Sequence, residues 1–240
     1  MESSQDPREL DIVHSWHVNA GAWSNAIRTS SIASRTLVTN QAIIDAVSSV
    51  APRRLLDLGC GEGWLVRALS TRGMSVVGVD IVPELIARAV ALGGGEFQVQ
   101  DYASIANRRA RLGAFDAVVC NFSLLGEQSV ESLIAALPFY LNHPGYLIVQ
   151  TLHPVSACGE YPYRDGWREG SWLGFGRDFS NPAPWYFRTV ESWSAMLERC
   201  AFDILECREP RADAAASPAS QIWIGRARRS AQTSGPRSME

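Results

Sequence analysis

Five short apolar runs, each about the length of a β-strand, alternate with segments of helical pattern over the first two thirds of the chain. They occupy residues 54–58, 75–79, 97–100, 115–120 and 146–151. Strands rich in valine and leucine that alternate with helices are typical of a parallel sheet covered on both faces. Two further runs, at 202–207 and 221–225, can pair with each other. The chain is therefore predicted to have an α/β, doubly wound fold.

The segments outside these runs suggest how the chain is divided. Residues 1–50 carry helical patterns, with a candidate helix cap at Asn40, and are expected to cover the functional site. Residues 153–188 are too many for an ordinary connection and are predicted to form a cap insertion. The main domain would then span 51–228, and the polar tail 229–240 is expected to be disordered.

Composition narrows the classes of partner. A net charge of −3 and a pI near 5.9 give no global footprint for nucleic acid, so no nucleic-acid partner is expected. Five cysteines without a C-x-x-C pair fit neither a disulfide framework nor a zinc site, and no metal is expected. No leader and no apolar run of membrane-spanning length is recognisable. We therefore expect a cytoplasmic protein that does not contact a membrane.

The sequence LLDLGCGEGW, at residues 55–64, directly continues the first apolar run. In a doubly wound sheet the first strand-to-helix turn lies where the strand order reverses, and ligands bind there. Gly59 and Gly61 would let a ligand approach the backbone closely. A dinucleotide fingerprint would need glycine where Trp64 stands, and no Lys-Ser/Thr pair follows as in a P-loop. The ligand therefore need not carry phosphate, and a nicotinamide cofactor is disfavoured.

Five motifs occur in an order and spacing that resemble the class I S-adenosylmethionine-dependent methyltransferases. After DLGCGEG come VVGVD, ending in Asp80, then VQDYASI, FDAVVCNFSLL and GYLIVQT, within about residues 55–151. The resemblance implies a Rossmann-like, mostly parallel seven-stranded sheet with an antiparallel last strand. It also implies S-adenosylmethionine as cofactor and S-adenosylhomocysteine as product.

The resemblance also assigns roles within the motifs. Asp80 is expected to accept hydrogen bonds from both ribose hydroxyls, while Asp101 and Tyr102 recognise the adenine. Asp57 is expected to hold the glycine loop or to contact the methionine amine indirectly. Arg35 would pair with the cofactor carboxylate or form a surface ion pair. The predicted cofactor-binding residues are Asp57, Gly59, Cys60, Gly61, Asp80, Ile81, Asp101, Tyr102, Asn121 and Arg35. For an isolated aspartate at a strand end, a helix cap is the alternative.

Aromatic residues are concentrated in the two segments outside the motifs. Such density favours an apolar or planar ligand, although the same rings can build the core of the cap itself. The predicted acceptor-binding residues are Trp16, Trp23, Tyr161, Tyr163 and Trp185. His153, directly after the fifth run, is the candidate general base, with a hydrogen bond to the backbone as the alternative role.

The sequence after the fourth run bears on the acceptor. The D-P-P-Y or N-P-P-Y signature of enzymes that methylate the amines of nucleic-acid bases is absent, and Asn121-Phe122-Ser123-Leu124 stands there. The predicted function is therefore methyl transfer to a small molecule, with O-methylation ahead of N- or C-methylation. The alternatives are a non-catalytic regulatory protein that binds the cofactor, and an N-methyltransferase acting on RNA or protein. A monomer or homodimer is expected.

Overall fold

A computed structural model of the chain describes residues 6–229. Residues 230–240, which hold nearly all of the tail predicted to be disordered, lie outside the described residues. The helices are α1 (Pro7–Arg28), α2 (Asn40–Ser49), α3 (Trp64–Ser70), α4 (Pro83–Leu92), α5 (Tyr102–Ala106), α6 (Gln128–Ala136), α7 (Pro154–Ala157) and α8 (Val190–Arg199). The strands are β1 (Arg54–Leu58), β2 (Ser75–Asp80), β3 (Glu96–Val99), β4 (Phe115–Asn121), β5 (Leu141–Leu152), β6 (Gly166–Arg168), β7 (Trp185–Phe187), β8 (Phe202–Arg208) and β9 (Ser220–Ala227).

Seven strands form one sheet in the order β3-β2-β1-β4-β5-β9-β8. The last strand, β9, runs antiparallel to both β5 and β8, whereas the remaining pairs are parallel. The predicted mostly parallel, doubly wound sheet with an antiparallel last strand is therefore confirmed. Strand order reverses between β1 and β4, so the crevice at their carboxyl ends is the expected ligand position.

Both faces of the sheet are buried by helices. One cluster packs against α5, α6 and α8 and includes Val118, Val149 and Leu133. The opposite cluster packs against α2 and α3 and includes Val119 and Ile148. Because successive residues of a strand point to opposite faces, consecutive residues within β4, and likewise within β5, belong to different clusters. This alternation determines which polar residues share a face at the carboxyl ends of the strands.

The chain enters α2 from a π-helical turn, Arg35–Thr39. Asn40 is the first residue of α2, and the preceding Thr39 makes no capping hydrogen bond through its side chain. The predicted cap at Asn40 is therefore wrong, because the helical path continues through this position. The consequence is that Arg35 lies one turn before α2, at the carboxyl edge of the sheet.

The helix α1 runs along that same edge. Its Ala20 packs against Val82 and Leu85 at the start of α4. Nearer its N-terminus, the carboxylate Oε1 of Glu9 accepts hydrogen bonds from the backbone N–H groups of Glu127 and Ser129, at 2.9 and 3.1 Å. Since α4 and α6 both follow parallel strands, their starts lie at the carboxyl edge, and α1 joins them across it.

Candidate cofactor and acceptor site

The glycine loop after β1 is held tightly between β2 and the residues that follow β4. The backbone N–H groups of Gly59 and Cys60 donate to the carbonyl oxygen of Val79, at 2.8 and 3.0 Å. Gly59 has φ of 74°, and a Cβ atom there would collide with Cβ of Ser123 and lie 3.1 Å from its Oγ. Both the backbone angle and the space therefore require glycine at this position.

Asp80, at the end of β2, holds the glycine loop. Its Oδ2 accepts a hydrogen bond from the N–H of Gly61 and its Oδ1 from that of Val82, both at 2.9 Å. Burial raises the pKa of Asp80, and these two hydrogen bonds oppose the rise. Asp80 thus makes the loop contact that was expected of Asp57. Its ribose-binding role stays a prediction.

Asp57 lies fully buried near the carboxyl end of β1. Among the described residues its Oδ1 has no hydrogen-bond partner. Burial raises the pKa of Asp57 to about 8, and the nearby charge of Asp80 contributes to the same rise. The ionised form is therefore unfavourable until a cation or a hydrogen-bond donor reaches Oδ1.

Arg35 is also buried, which removes the surface ion pair as an explanation. Its guanidinium carbon lies 5.1 Å from the ring centre of Trp23 and 4.8 Å from that of Trp64. Burial lowers the pKa of Arg35 to about 10, while the charge of Glu62 opposes the change, so Arg35 stays cationic at neutral pH. Within the part of the chain that the structure describes, its Nη2 has no hydrogen-bond partner.

Four buried polar atoms around the glycine loop lack partners among residues 6–229: Arg35 Nη2, Asp57 Oδ1, Glu62 Oε1 and Asn121 Oδ1. Glu62 was not predicted as a site residue, although an acidic side chain inside a glycine motif is a recognisable signal. Each unpartnered atom costs about 1–3 kcal/mol, so such a concentration calls for an explanation. A ligand with a carboxylate would accept a hydrogen bond from the Arg35 nitrogen, and an ammonium group on the same ligand would donate to the unpartnered oxygen atoms. The methionine part of S-adenosylmethionine has these groups, so the residues fit the predicted cofactor.

Asp101 caps the helix α5. Its carboxylate accepts hydrogen bonds from the backbone N–H and the hydroxyl of Ser104, at 2.6 and 3.1 Å. The hydroxyl of Tyr102 donates to the carbonyl oxygen of Ser123 at 3.1 Å, and burial raises the pKa of Tyr102 well above its usual value. The alternative role of a helix cap therefore applies to Asp101. Adenine recognition by Asp101 and Tyr102 stays a prediction.

Ile81 and Cys60 complete the predicted cofactor set. Ile81 is partly buried and packs against the same small cluster, Ala20, Val82 and Leu85, as Trp16 and Trp23 of α1. Burial raises the pKa of Cys60 well above its usual value, so its side chain remains a thiol rather than a nucleophilic thiolate. Both residues stay predicted cofactor contacts, Cys60 through its backbone.

A cluster of aromatic rings joins α1 to the cap insertion. Its members are Trp16, Trp23, Trp172, Phe175 and Phe179. The ring centres of Trp16 and Trp23 are 5.2 Å apart, and those of Trp16 and Trp172 are 5.7 Å apart. The indole nitrogen of Trp23 would lie 3.3 Å from a Cβ atom at Gly61. The cluster therefore reaches from the cap to the glycine loop.

The buried side-chain amide of Asn19 reinforces this junction. Its Nδ2 donates to the carbonyl oxygen of Ser180 at 2.7 Å, and its Oδ1 accepts from the N–H of the same residue at 2.9 Å. The hydroxyl of Ser15 donates to the carbonyl oxygen of Asn181 at 2.6 Å. Asn19 was not predicted, although it falls on the helical stripe of Trp16 and Trp23.

The other predicted acceptor-binding aromatics have different surroundings. The Tyr163 hydroxyl accepts a hydrogen bond from the N–H of Val190 at 3.0 Å, at the start of α8. Tyr161 is exposed, with the guanidinium of Arg168 4.8 Å from its ring centre. Trp185 lines a small cavity at the ends of β4 and β5, together with Leu124, Leu152, Pro154 and Phe187. Trp185 is therefore the predicted residue for which this cavity is observed.

His153 is buried directly after β5. Its Nε2 lies 3.3 Å from Oε1 of Glu209, which follows β8, and its Nδ1 has no partner among the described residues. The contact draws the ring toward the β8 edge, on the side of β5 opposite the glycine loop. The partner is a carboxylate rather than the backbone of the alternative role. A catalytic role for His153 stays a prediction.

Comparisons with known proteins place this chain in a family. A family model described as a methyltransferase domain matches residues 35–206. The chain therefore belongs to this methyltransferase family, in the class I S-adenosylmethionine-dependent group that its motifs resemble. Transfer of the methyl group of S-adenosylmethionine is the chemistry of that class.

Individual relatives and structures agree with the family. The ubiquinone biosynthesis O-methyltransferases of Xanthomonas axonopodis pv. citri and Xylella fastidiosa (strain M23) are 34% and 35% identical over 113 and 114 residues, or 45% and 46% of this chain. The chain spans about half the length of these relatives, 46% of each. A Mesorhizobium loti S-adenosylmethionine-dependent methyltransferase has a TM-score of 0.57 and 24% identity, covering 76% of this chain and 96% of its own. A putative S-adenosylmethionine-dependent methyltransferase from Listeria monocytogenes has a TM-score of 0.62 and 18% identity, covering 77% of this chain and 96% of its own. Both structures share the fold.

Within residues 6–229, none of the helices is both long and apolar enough to span a membrane.

Proposed function

We propose that the protein transfers the methyl group of S-adenosylmethionine to an oxygen atom of a small molecule in the cytoplasm. The observation that carries the proposal is the buried guanidinium of Arg35 near Glu62 of the glycine loop, with an Nη2 that has no hydrogen-bond partner in the described part of the chain. That arrangement fits a zwitterionic methionine end better than a phosphate or a metal ion. The printed name of the curated relatives, O-methyltransferases, supports oxygen as the accepting atom.

The chain's own residues bind and orient the reactants. Arg35 pairs with the cofactor carboxylate and Asp57 with its ammonium group, while Asp80 accepts from the ribose. The cofactor, when bound, supplies a sulfonium methyl group. Transfer of that group mainly requires alignment and exclusion of water, which the aromatic cluster between α1 and the cap provides.

The acceptor binds under the cap, beside Trp185. The rings of Trp16 and Trp23 favour a planar or apolar molecule. An acceptor hydroxyl would lose its proton to a base, for which His153 remains the candidate, with Tyr161 and Tyr163 as alternatives. The contact of His153 with Glu209 fixes its orientation. A monomer or homodimer without a nucleic-acid partner accords with this function.

The activity is tested in two measurements on the full chain. Calorimetry is expected to show that the protein binds S-adenosylhomocysteine and does not bind NAD. Incubation with S-adenosylmethionine labelled in its methyl group and a cell extract is expected to label the small-molecule fraction. Label in RNA or protein would instead favour the alternative acceptors, and binding without transfer to any fraction would favour a regulatory protein.

Replacement of Arg35 tests the cofactor site directly. Arg35→Met is expected to weaken S-adenosylhomocysteine binding about 10- to 100-fold, because a charge-assisted pair with its carboxylate is lost. Thermal stability of the free protein should change little, since the lost cation–π contacts with Trp23 and Trp64 offset the removal of a buried charge whose Nη2 has no hydrogen-bond partner among the described residues. Arg28→Gln, on the exposed end of α1, is the control and should leave calorimetric affinity unchanged. Equal affinity of Arg35→Met and the unmodified protein would contradict the assignment.

Replacement of Asn19 tests whether α1 and the cap form a lid. Asn19→Ala removes both hydrogen bonds to Ser180 and is expected to raise hydrogen exchange over residues 170–182 by about 10-fold or more. Adding S-adenosylhomocysteine should slow that exchange in the unmodified protein. Asn25→Ala changes an exposed residue of the same helix and should have no effect on the cap. Unchanged exchange in Asn19→Ala would mean that the cap is held independently of α1.

A further inference from the structure

Three polar side chains form a row on one face of the sheet, near its carboxyl edge. Asn121 of β4 pairs in register with Gln150 of β5, so their side chains lie on the same face. Ser220, at the start of β9, pairs with Leu152 and shares that face. The amide Nε2 of Gln150 donates to the Ser220 hydroxyl at 2.8 Å. These residues, Asn121, Gln150 and Ser220, are here called the amide row.

Gln150 and Ser220 are buried, Asn121 is partly buried with a buried Oδ1, and the row is incompletely hydrogen-bonded. Gln150 is 1% exposed and Ser220 is 0% exposed. Among residues 6–229, Oε1 of Gln150 and Oδ1 of Asn121 have no hydrogen-bond partner. Two acceptor oxygens on neighbouring strands are therefore withdrawn from water without donors. A ligand that brings a donor to them would recover the lost hydrogen bonds.

Asn121 is also a predicted cofactor contact, whereas Gln150 and Ser220 lie farther from the groups assigned to the cofactor. Asp57 shares this face, because it pairs with Val119, two residues before Asn121. Gln150 lies two strands from β1, roughly 10 Å across the sheet. Asp57 and Arg35 already match the two charges of the methionine end. Gln150 is thus placed outward from the cofactor, on β5, whose end the cap insertion follows.

We propose that the amide row is a recognition subsite for the methyl acceptor and binds a neutral hydrogen-bond donor, such as a hydroxyl group. This rests on the proposed function. The row contains no charged side chain, so it cannot balance a cation or an anion. Amide oxygens accept readily from an O–H or N–H group. A site built in this way rejects an analogue that lacks the donor, because its own buried acceptors are then left unpaired.

The test uses a double variant with a matched control. Gln150→Met/Ser220→Ala keeps the approximate shape of the row and removes the polar side-chain atoms of these two residues, and it leaves Asn121, a predicted cofactor contact, unchanged. Gln221→Met is the control, because Gln221 is also buried with an unpartnered Oε1 but faces the opposite side of the sheet, paired with Thr151. Each protein is assayed for S-adenosylhomocysteine affinity, melting temperature and transfer of labelled methyl groups to the small-molecule fraction of a cell extract.

The double variant is expected to bind S-adenosylhomocysteine within about 2-fold of the unmodified protein. Its melting temperature should be equal or higher, because unsatisfied polar atoms are removed. Transfer should fall about 10-fold or more, while the control keeps it.

Three results would overturn the proposal. Unchanged transfer by the double variant would mean that the acceptor does not use the row. A parallel loss of S-adenosylhomocysteine affinity would assign the row to the cofactor. A melting temperature lowered by several degrees would identify a structural network, for example one bridged by a buried water molecule. If the unmodified protein binds S-adenosylhomocysteine but transfers no methyl group, the proposed function itself fails, and the subsite with it.

Discussion

Gly59→Ala is expected to lower the free energy of unfolding by about 3 kcal/mol or more, one of the two largest effects that the structure predicts. The residue has φ of 74°, which costs an L-amino acid about 1–2 kcal/mol. The added Cβ would also collide with Ser123, which is fixed because its hydroxyl donates to the carbonyl oxygen of Leu58 at 2.6 Å. Urea unfolding measures the loss.

Gly73→Ala separates the two causes. Gly73 has φ of 85°, and nothing lies within 4 Å of a Cβ atom there, so this variant carries the backbone strain without the collision. The free energy of unfolding of Gly73→Ala should therefore fall by only about 1–2 kcal/mol. Removing the Ser123 side chain in the Gly59→Ala background should recover part of the stability. Equal losses for the two glycine variants would refute the close packing of the loop.

The second large effect is a pH-dependent stability that comes from Asp57. Burial raises the pKa of its carboxyl to about 8 in the folded chain, against the usual 3.8. The folded state therefore holds this proton more tightly than the unfolded state does. Its stabilisation is fully present below about pH 4 and is lost progressively as the pH rises toward 8. The expected loss is on the order of several kcal/mol.

Asp57→Asn should remove this dependence. Between pH 5 and 8 the free energy of unfolding of the unmodified protein should fall more steeply than that of the variant, which should be the more stable protein at pH 8. Asp116→Asn is the control. Hydrogen bonds that Asp116 accepts, the largest effect coming from the backbone N–H of Arg54, lower its pKa and move its titration out of this range. Parallel curves for Asp57→Asn and the unmodified protein would mean that the Asp57 carboxyl is ionised without cost.

The same protonation bears on cofactor binding. An ammonium group beside Asp57 would favour the ionised carboxylate, so binding of S-adenosylhomocysteine should release a proton near neutral pH. Calorimetry in buffers of different ionisation enthalpy measures that release. Asp57→Asn should abolish it.

Features that depend on neighbouring residues were predictable from the sequence. The apolar runs identify strands that are buried on both faces, and their alternation with helices implies the parallel sheet and the position of its ligand edge. The glycine motif indicates a loop whose backbone must adopt positive φ, as Gly59 and Gly61 do. The alternative cap role of Asp101 is local too, since the bond that carries it is made to Ser104, three residues on.

Features that depend on packing between distant segments required the tertiary structure. Arg35 is buried between Trp23 and Trp64, which belong to different helices, and nothing in its own sequence surroundings distinguishes it from a surface arginine. The ring of His153 turns toward Glu209 because β8 and β9 close the sheet beyond β5. Asn19 meets Ser180, 161 residues away. The sequence by itself determined the sheet and the loop, because local propensity and strand burial encode them, and the resemblance of its five motifs implied the class of ligand. The tertiary structure decided which polar groups lose their water and which stay unpartnered, because desolvation depends on every surface that packs around a residue.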